Sequence, residues 1–226
     1  STVDRVDYSN DTPTMSPKGP LSSAKNFPTA TGNASYGYFG GGGDPLVSTV
    51  DRIDYSNDTA TAVAKGPLTV ARSMLAATGN ASHGYFGGGS PSPGNATSTV
   101  DRLDYSNDTP TATAKGPLSA VKYVAGAAGN NDYGYWGGGE ANYPNPSSLV
   151  SRVDYGNDTA TAVSKGPLSV VKPYTSATGN ANYGYWGGSG SNVTPTSIVD
   201  RVDYGNDTAT AVVKGPLCVA AYAPTA

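Results

Sequence analysis

Residues 48–89, STVDRIDYSNDTATAVAKGPLTVARSMLAATGNASHGYFGGG, recur along the chain four times with variations and a fifth time without the glycine-rich ending. The arginine of the opening Val-Asp/Ser-Arg-x-Asp-Tyr falls at Arg5, Arg52, Arg102, Arg152 and Arg201, at spacings of 47, 50, 50 and 49 residues. A period in this range marks a repeat architecture, in which each unit buries its apolar surface against its neighbours. The repeat runs from end to end without a break in composition, so residues 1–226 read as one domain. Glycine and proline are abundant, as in low-complexity chains, but disorder gives no reason to keep an arginine and a tyrosine in register five times.

Within one copy the pattern is that of four short strands separated by turn residues. Residues 50–55 alternate, with Val50, Arg52 and Asp54 on one face and Asp51, Ile53 and Tyr55 on the other. Ser56-Asn57-Asp58 supplies turn chemistry. Residues 59–64, rich in Thr and Ala, read as a second strand that Gly66-Pro67 breaks, since proline donates nothing to a ladder. Residues 74–78 read as a third strand of small residues and 84–86 as a fourth. Helix content is expected to be close to nil, because no segment sustains a 3.6-residue period. Four antiparallel strands per unit of this length describe one blade of a β-propeller. The small-residue strands (29–31, 76–78, 127–129 and 176–178) suit the crowded centre, and the Thr/Ala strands suit the rim.

The order Arg-x-Asp-Tyr, Gly-Pro-Leu, a basic residue, a small strand, Gly-Asn and then Tyr-Phe/Trp-Gly-Gly resembles the kelch repeat, whose second strand ends in a glycine doublet followed by a tyrosine-containing third. The resemblance covers nearly the whole chain. It departs where a kelch repeat carries a tryptophan about seven residues after the tyrosine, for here stand Met15, Ala62, Ala112, Ala162 and Ala211. The aromatic bulk lies instead beside the glycines, at Phe39, Phe86, Trp136 and Trp186. The wording also resembles the Gly-Tyr-Phe-Gly-Gly repeat arrays of marine bacteriophage structural (tail or fibre) proteins. The resemblance implies an all-β, five-bladed, kelch-like propeller of four-stranded antiparallel blades. In that order the chain opens on the outer half of a blade and supplies four complete blades, leaving an incomplete seam blade.

The composition excludes several functions. Formal charge is −3 with 14% charged residues and no Lys/Arg block, so no nucleic-acid partner is expected. No apolar run approaches 18 residues, so no membrane-spanning helix is expected. The single cysteine, Cys218, and single histidine, His83, leave no basis for a disulfide framework, a transition-metal site or a Ser-His-Asp triad. Neither a cofactor nor a metal is expected. The Asp-rich opening admits a calcium site, but pairing of each arginine with the aspartate two residues on (Arg5 with Asp7, Arg52 with Asp54, Arg102 with Asp104, Arg152 with Asp154, Arg201 with Asp203) is the structural expectation. Of the 17 carboxylates only Asp44, Asp132 and Glu140 lie outside the repeated motif. A glycosidase needs two carboxylates in unlike environments, and these three read as solvated loop charges, so no enzymatic activity is expected.

Binding is the function expected of the loops. Length varies only after each glycine run, at 41–47, 89–97, 139–147 and 189–196, and variable loops on one face of a rigid scaffold are where recognition concentrates. Tyr36, Tyr38, His83, Tyr85, Tyr133, Tyr135, Tyr183 and Tyr185 are the candidate binding side chains, as rings that could stack on sugars. Asn-x-Ser/Thr sequons recur at Asn10, Asn33, Asn57, Asn80, Asn95, Asn107, Asn157, Asn192 and Asn206. The expectation is a non-catalytic binding or scaffold module in a virion fibre or extracellular protein, contacting a glycan, a host-surface receptor or a protein partner. The alternative is a purely structural repeat that self-assembles, or joins neighbouring virion proteins, through the incomplete blade.

Overall fold

The computed structural model describes residues 1–190 and 195–221. It is all-β, with four four-stranded antiparallel sheets and one two-stranded sheet. The chain opens with the two-stranded sheet, β1 (Val3–Arg5) and β2 (Ser16–Lys18). The first complete sheet follows in chain order as β3 (Thr29–Gly32), β4 (Tyr36–Gly40), β5 (Val50–Asp54) and β6 (Val63–Lys65). The second is β7 (Ala76–Gly79), β8 (His83–Gly87), β9 (Val100–Asp104) and β10 (Thr113–Lys115). The third is β11 (Tyr123–Gly129), β12 (Tyr133–Glu140), β13 (Val150–Asp154) and β14 (Val163–Lys165). The fourth is β15 (Ser176–Gly179), β16 (Tyr183–Ser189), β17 (Thr196–Asp203) and β18 (Val212–Lys214).

The arrangement is propeller-like. The small-residue strands β3, β7, β11 and β15 are innermost and together line an axial channel of about 180 Å³, with Ala30, Ala77, Gly126 and Ala177 among its lining. The Thr/Ala strands are outermost, as their composition suggests. Burial does not alternate cleanly along β5, because both of its faces are covered: Val50 and Asp51 are alike fully buried and Ile53 nearly so. The hydrophobic core is accordingly divided into clusters between sheets rather than gathered in one centre.

One expectation needs correction. The Thr/Ala strand is only three residues long, Val63–Lys65 in the first complete sheet, whereas the sequence pattern predicts 59–64. Residues 58–62 serve the neighbouring sheet instead: Gly19 N–H donates to Asp58 O at 2.8 Å and Ala62 N–H to Pro20 O at 2.8 Å. These backbone groups cannot join a ladder as well. Single 3-10 turns also occur at Tyr55–Asn57, Tyr155–Asn157 and Tyr204–Asn206, each capped by the preceding aspartate.

The alanines standing where a kelch repeat has tryptophan are explained by the same contact. Ala62, Ala112, Ala162 and Ala211 are buried beneath Leu21, Leu68, Leu118 and Leu168 of the preceding repeat. The aromatics beside the glycines take over the filling. Trp136 and Trp186 are fully buried, and their indole N–H groups donate to Ala76 O and Gly126 O of the preceding sheet, each at 3.0 Å. Phe39 is only half-buried, because β1–β2 lacks inner strands. A cleft of about 630 Å³, lined by Val3, Phe39, Ile53 and Tyr55, occupies their place.

Candidate functional site

The repeated charged motif builds the joints between sheets. Arg52 Nη1 lies 2.8 Å and Lys65 Nζ 3.1 Å from the carboxylate of Asp108, which belongs to the next repeat. Tyr38 Oη donates to the same carboxylate at 3.0 Å. Asp158 is held identically by Arg102, Lys115 and Tyr85, and Asp207 by Arg152, Lys165 and Tyr135. Asp58 is held by Arg5 and Lys18. The expected pairing of each arginine with the aspartate two residues on is therefore not what forms. Asp7, Asp54, Asp104, Asp154 and Asp203 instead accept from the backbone N–H two residues ahead, each at 2.9 Å, and shape the turn. At Asp58, Asp108, Asp158 and Asp207 the place that the calcium alternative would give to a metal ion is taken by an arginine and a lysine. Among the described residues no group of three or more His, Cys, Asp or Glu side chains is disposed to hold a metal.

Burial raises the affinity of Asp158 for a proton, but hydrogen bonds from Lys115 and Tyr85 and the charge of Arg102 outweigh it, so the carboxyl titrates below its ordinary range. A folded-state pKa below the unfolded value stabilises fully above about pH 4, and that stabilisation is lost as the pH falls through the lowered value. Asp158→Asn is expected to cost about 2 kcal/mol at neutral pH, since three donors lose a charged acceptor. The variant should show a shallower acid limb in urea denaturation between about pH 4 and pH 2.

The candidate binding rings fall into two groups. Tyr38, Tyr85 and Tyr135 are buried, stacked on Tyr105, Tyr155 and Tyr204 of the following sheet with centroids 4.7, 4.4 and 4.6 Å apart. They cement sheets and present no free face. Tyr185, their counterpart in the last sheet, is half-buried. Tyr36, Tyr133 and Tyr183 are half-buried beneath the guanidinium groups of Arg52, Arg152 and Arg201, at 4.3 to 4.4 Å. His83 takes the same position, and burial followed by the Arg102 charge depresses its pKa.

Beside them, the other mouth of the axis is ringed by Asn33, Asn80, Asn130 and Asn180, around a cavity of about 350 Å³. Asn33 and Asn80 donate to Ala81 O and Asn131 O of the next sheet, so these two sequon side chains are structural. Asn10, Asn57, Asn107, Asn157 and Asn206 lie exposed in turns. Asn95 donates to Ser92 Oγ at 2.8 Å, and Asn192 lies outside the described residues.

Among the described residues the larger opening is at the loop end of the axis. The variable segments contribute Asp44, Pro45, Ser92, Pro93 and Tyr143 to a cavity of about 620 Å³. Its walls are Phe27, Met74, Tyr123 and Tyr174, from the entries to the four inner strands. Phe27, Met74, Val124 and Tyr174 occupy the same repeat position, two residues after the buried basic side chain, and all have φ between 49° and 57°. Bulky side chains rarely adopt this left-handed backbone. Here the surroundings impose it, because Met74 N–H donates to Phe27 O at 3.3 Å and Val124 N–H to Met74 O at 2.9 Å, linking successive sheets around the mouth. The outcome is that Phe27, Met74 and Tyr174 turn toward the axis.

The three carboxylates outside the repeat are dispersed. Asp44 is exposed at this mouth, and Asp132 is exposed in the turn before β12, at the other. Glu140, expected to be a solvated loop charge, is fully buried at the far end of β12 and accepts from Tyr123 Oη at 2.7 Å. Burial, then Glu140, pushes the Tyr123 phenol well above its ordinary range. An eight-residue strand separates Asp132 from Glu140 by about 25 Å, far beyond the spacing of a glycosidase pair. No family model and no curated protein matches the sequence.

Proposed function

We propose that the chain is a kelch-like β-propeller of five repeats, the two-stranded sheet standing for the fifth blade, and that it acts as a non-catalytic binding module for a neutral glycan at the loop-end mouth. The observation that carries this reading is the ring of Phe27, Met74, Tyr123 and Tyr174 around one cavity, rimmed by the segments whose length and sequence vary most. Apolar ring faces stack on the C–H faces of sugars, while Asn26, Ser73, Ser90 and Ser92 supply hydrogen-bonding groups at the edge. Asp44 is the one ionisable carboxylate of that lining, which favours a neutral ligand over an anionic one. A virion fibre or extracellular protein is the setting that suits such a module, consistent with the likeness to bacteriophage structural repeats.

A panel of neutral oligosaccharides screened on an array, then titrated calorimetrically, tests this. Tyr174→Ala or Phe27→Ala should weaken the best binder about tenfold or more, whereas Tyr133→Ala, at the opposite end of the axis, should leave its affinity unchanged. Absence of binding across the panel, or equal loss in all three variants, would sink the assignment.

A further inference from the structure

We propose that the outward face of the last sheet, β15–β18, binds the first repeat of a second copy of this chain, head to tail, in the register by which each sheet already holds the next. Each of the three joints between complete sheets has the same parts. An arginine, a lysine and a tyrosine of one sheet meet an aspartate of the next, and the glycine of Gly-Pro-Leu donates its N–H to that aspartate's carbonyl. At Gly66, Gly116 and Gly166 the donated bond is 2.8 Å long. The fit there is so close that a Cβ would come within 1.9 Å of the next repeat's carbonyl oxygen.

Among the described residues, the last sheet carries the whole set without an occupant. Arg201 and Lys214 make no ion pair among the described residues, where Arg152 and Lys165 hold Asp207. A Cβ at Gly215 would meet nothing within 4 Å, and Leu217 is 39% exposed where Leu168 is 2%. The first repeat carries the complementary set. Asp11 is exposed and has no cationic partner among the described residues, and Tyr8 is 93% exposed where its counterpart Tyr105 is 8%. Asp11 thus matches Asp108, Asp158 and Asp207 in sequence position, and Arg201 with Lys214 matches the pairs that hold them.

These two surfaces differ from one another and lie at opposite ends of the chain. Joining them is heterologous, so association continues from copy to copy unless it closes into a ring. The occupant enters with its carboxylate, and the attraction is screened by salt.

Sedimentation velocity over a wide concentration range tests the proposal. The chain should form dimers and longer species as concentration rises, and 0.5 M salt should weaken them. Gly215→Ala blocks the receiving face and Asp11→Lys blocks the entering end, so each variant alone should remain monomeric with an unchanged melting temperature. An equimolar mixture should give dimers and nothing larger, because one joint remains competent. A wild type that stays monomeric overturns the proposal. If Gly215→Ala then also lowers its melting temperature, the chain's own first repeat occupies the face; if not, the face is free. Association that survives both variants places the contact elsewhere and overturns it as well.

Discussion

Gly116→Ala is expected to lower the stability of the chain by about 3 kcal/mol or more, although it adds one methyl group. The backbone at Gly116 is not in the left-handed region, so no conformational rule requires glycine there. By itself the replacement would stabilise slightly, by restricting the unfolded chain. The cost comes from the neighbouring sheet. The new Cβ would stand 1.9 Å from Ala160 O and 2.4 Å from its carbonyl carbon. Neither can retreat alone, for Gly116 N–H is bonded to Asp158 O at 2.8 Å and Ala162 N–H to Pro117 O at 2.8 Å. To admit the methyl, the two sheets must part, which stretches the hold of Arg102, Lys115 and Tyr85 on Asp158 and uncovers Leu118. Urea denaturation should show a lower midpoint for Gly116→Ala, with Gly215→Ala as the matched control at the same repeat position and within about 0.5 kcal/mol of wild type. Equal effects at the two positions would mean that glycine serves the local turn rather than the joint.

The contrast between those two glycines shows what can be read from one copy of the repeat and what cannot. Period, strand number, the small inner strands and the loops that vary are properties of a single copy or of its alignment with the others, and they were legible. The partner of Arg52 was not. Asp54 is two residues away on the same strand face, while Asp108 is 56 residues on, in a turn whose Asn-Asp already has a sufficient local explanation. Only the docking of one sheet on the next makes Asp108 the nearer carboxylate. Residues 59–62 were misread for the same reason, since their hydrogen bonds leave the sheet to which they belong.

The loop-end mouth was hidden differently. Phe27, Met74, Val124 and Tyr174 share no chemistry that a repeat alignment would display; what they share is a backbone angle. Glu140 escaped because it sits at the repeat position of Ser90, which pairs with Ser73 as Glu140 pairs with Tyr123, so a position that lies in the loop by sequence is held inside by a cross-strand bridge.

Ser151→Asp is expected to stabilise the chain by about 2–3 kcal/mol near pH 6, with a gain that shrinks as the pH rises. In the other complete sheets a buried basic residue faces an aspartate. Lys25 lies 2.9 Å from Asp51, Arg72 2.8 Å from Asp101 and Lys172 3.7 Å from Asp200. Lys122 has the same position and is 2% exposed, but its counterpart carboxylate is replaced by Ser151. Its ammonium group donates only to carbonyls, Trp136 O at 2.9 Å and Leu149 O at 3.0 Å. Desolvation therefore pushes its pKa down to about 7.

The sign follows from linkage. Below about pH 7 the folded chain must hold a buried cation with no carboxylate beside it, a cost on the order of 5 kcal/mol. Between about pH 7 and pH 10.5 the unfolded chain binds the extra proton, so wild-type stability gains from this site as the pH rises. A carboxylate at position 151 would meet Lys122 directly, and Ser119, whose hydroxyl now lies 2.6 Å from that of Ser151, would donate to it as Thr69 does to Asp101 at 2.7 Å. The pair would stay ionised across this range, and the upward slope would vanish. Thermal melts of the two proteins at pH 6, 8 and 9.5 decide the matter. A difference that narrows steadily with pH supports the unpaired Lys122 as the weak joint of the third sheet, while a pH-independent difference, or a destabilised variant at pH 6, would mean the carbonyls already satisfy the charge.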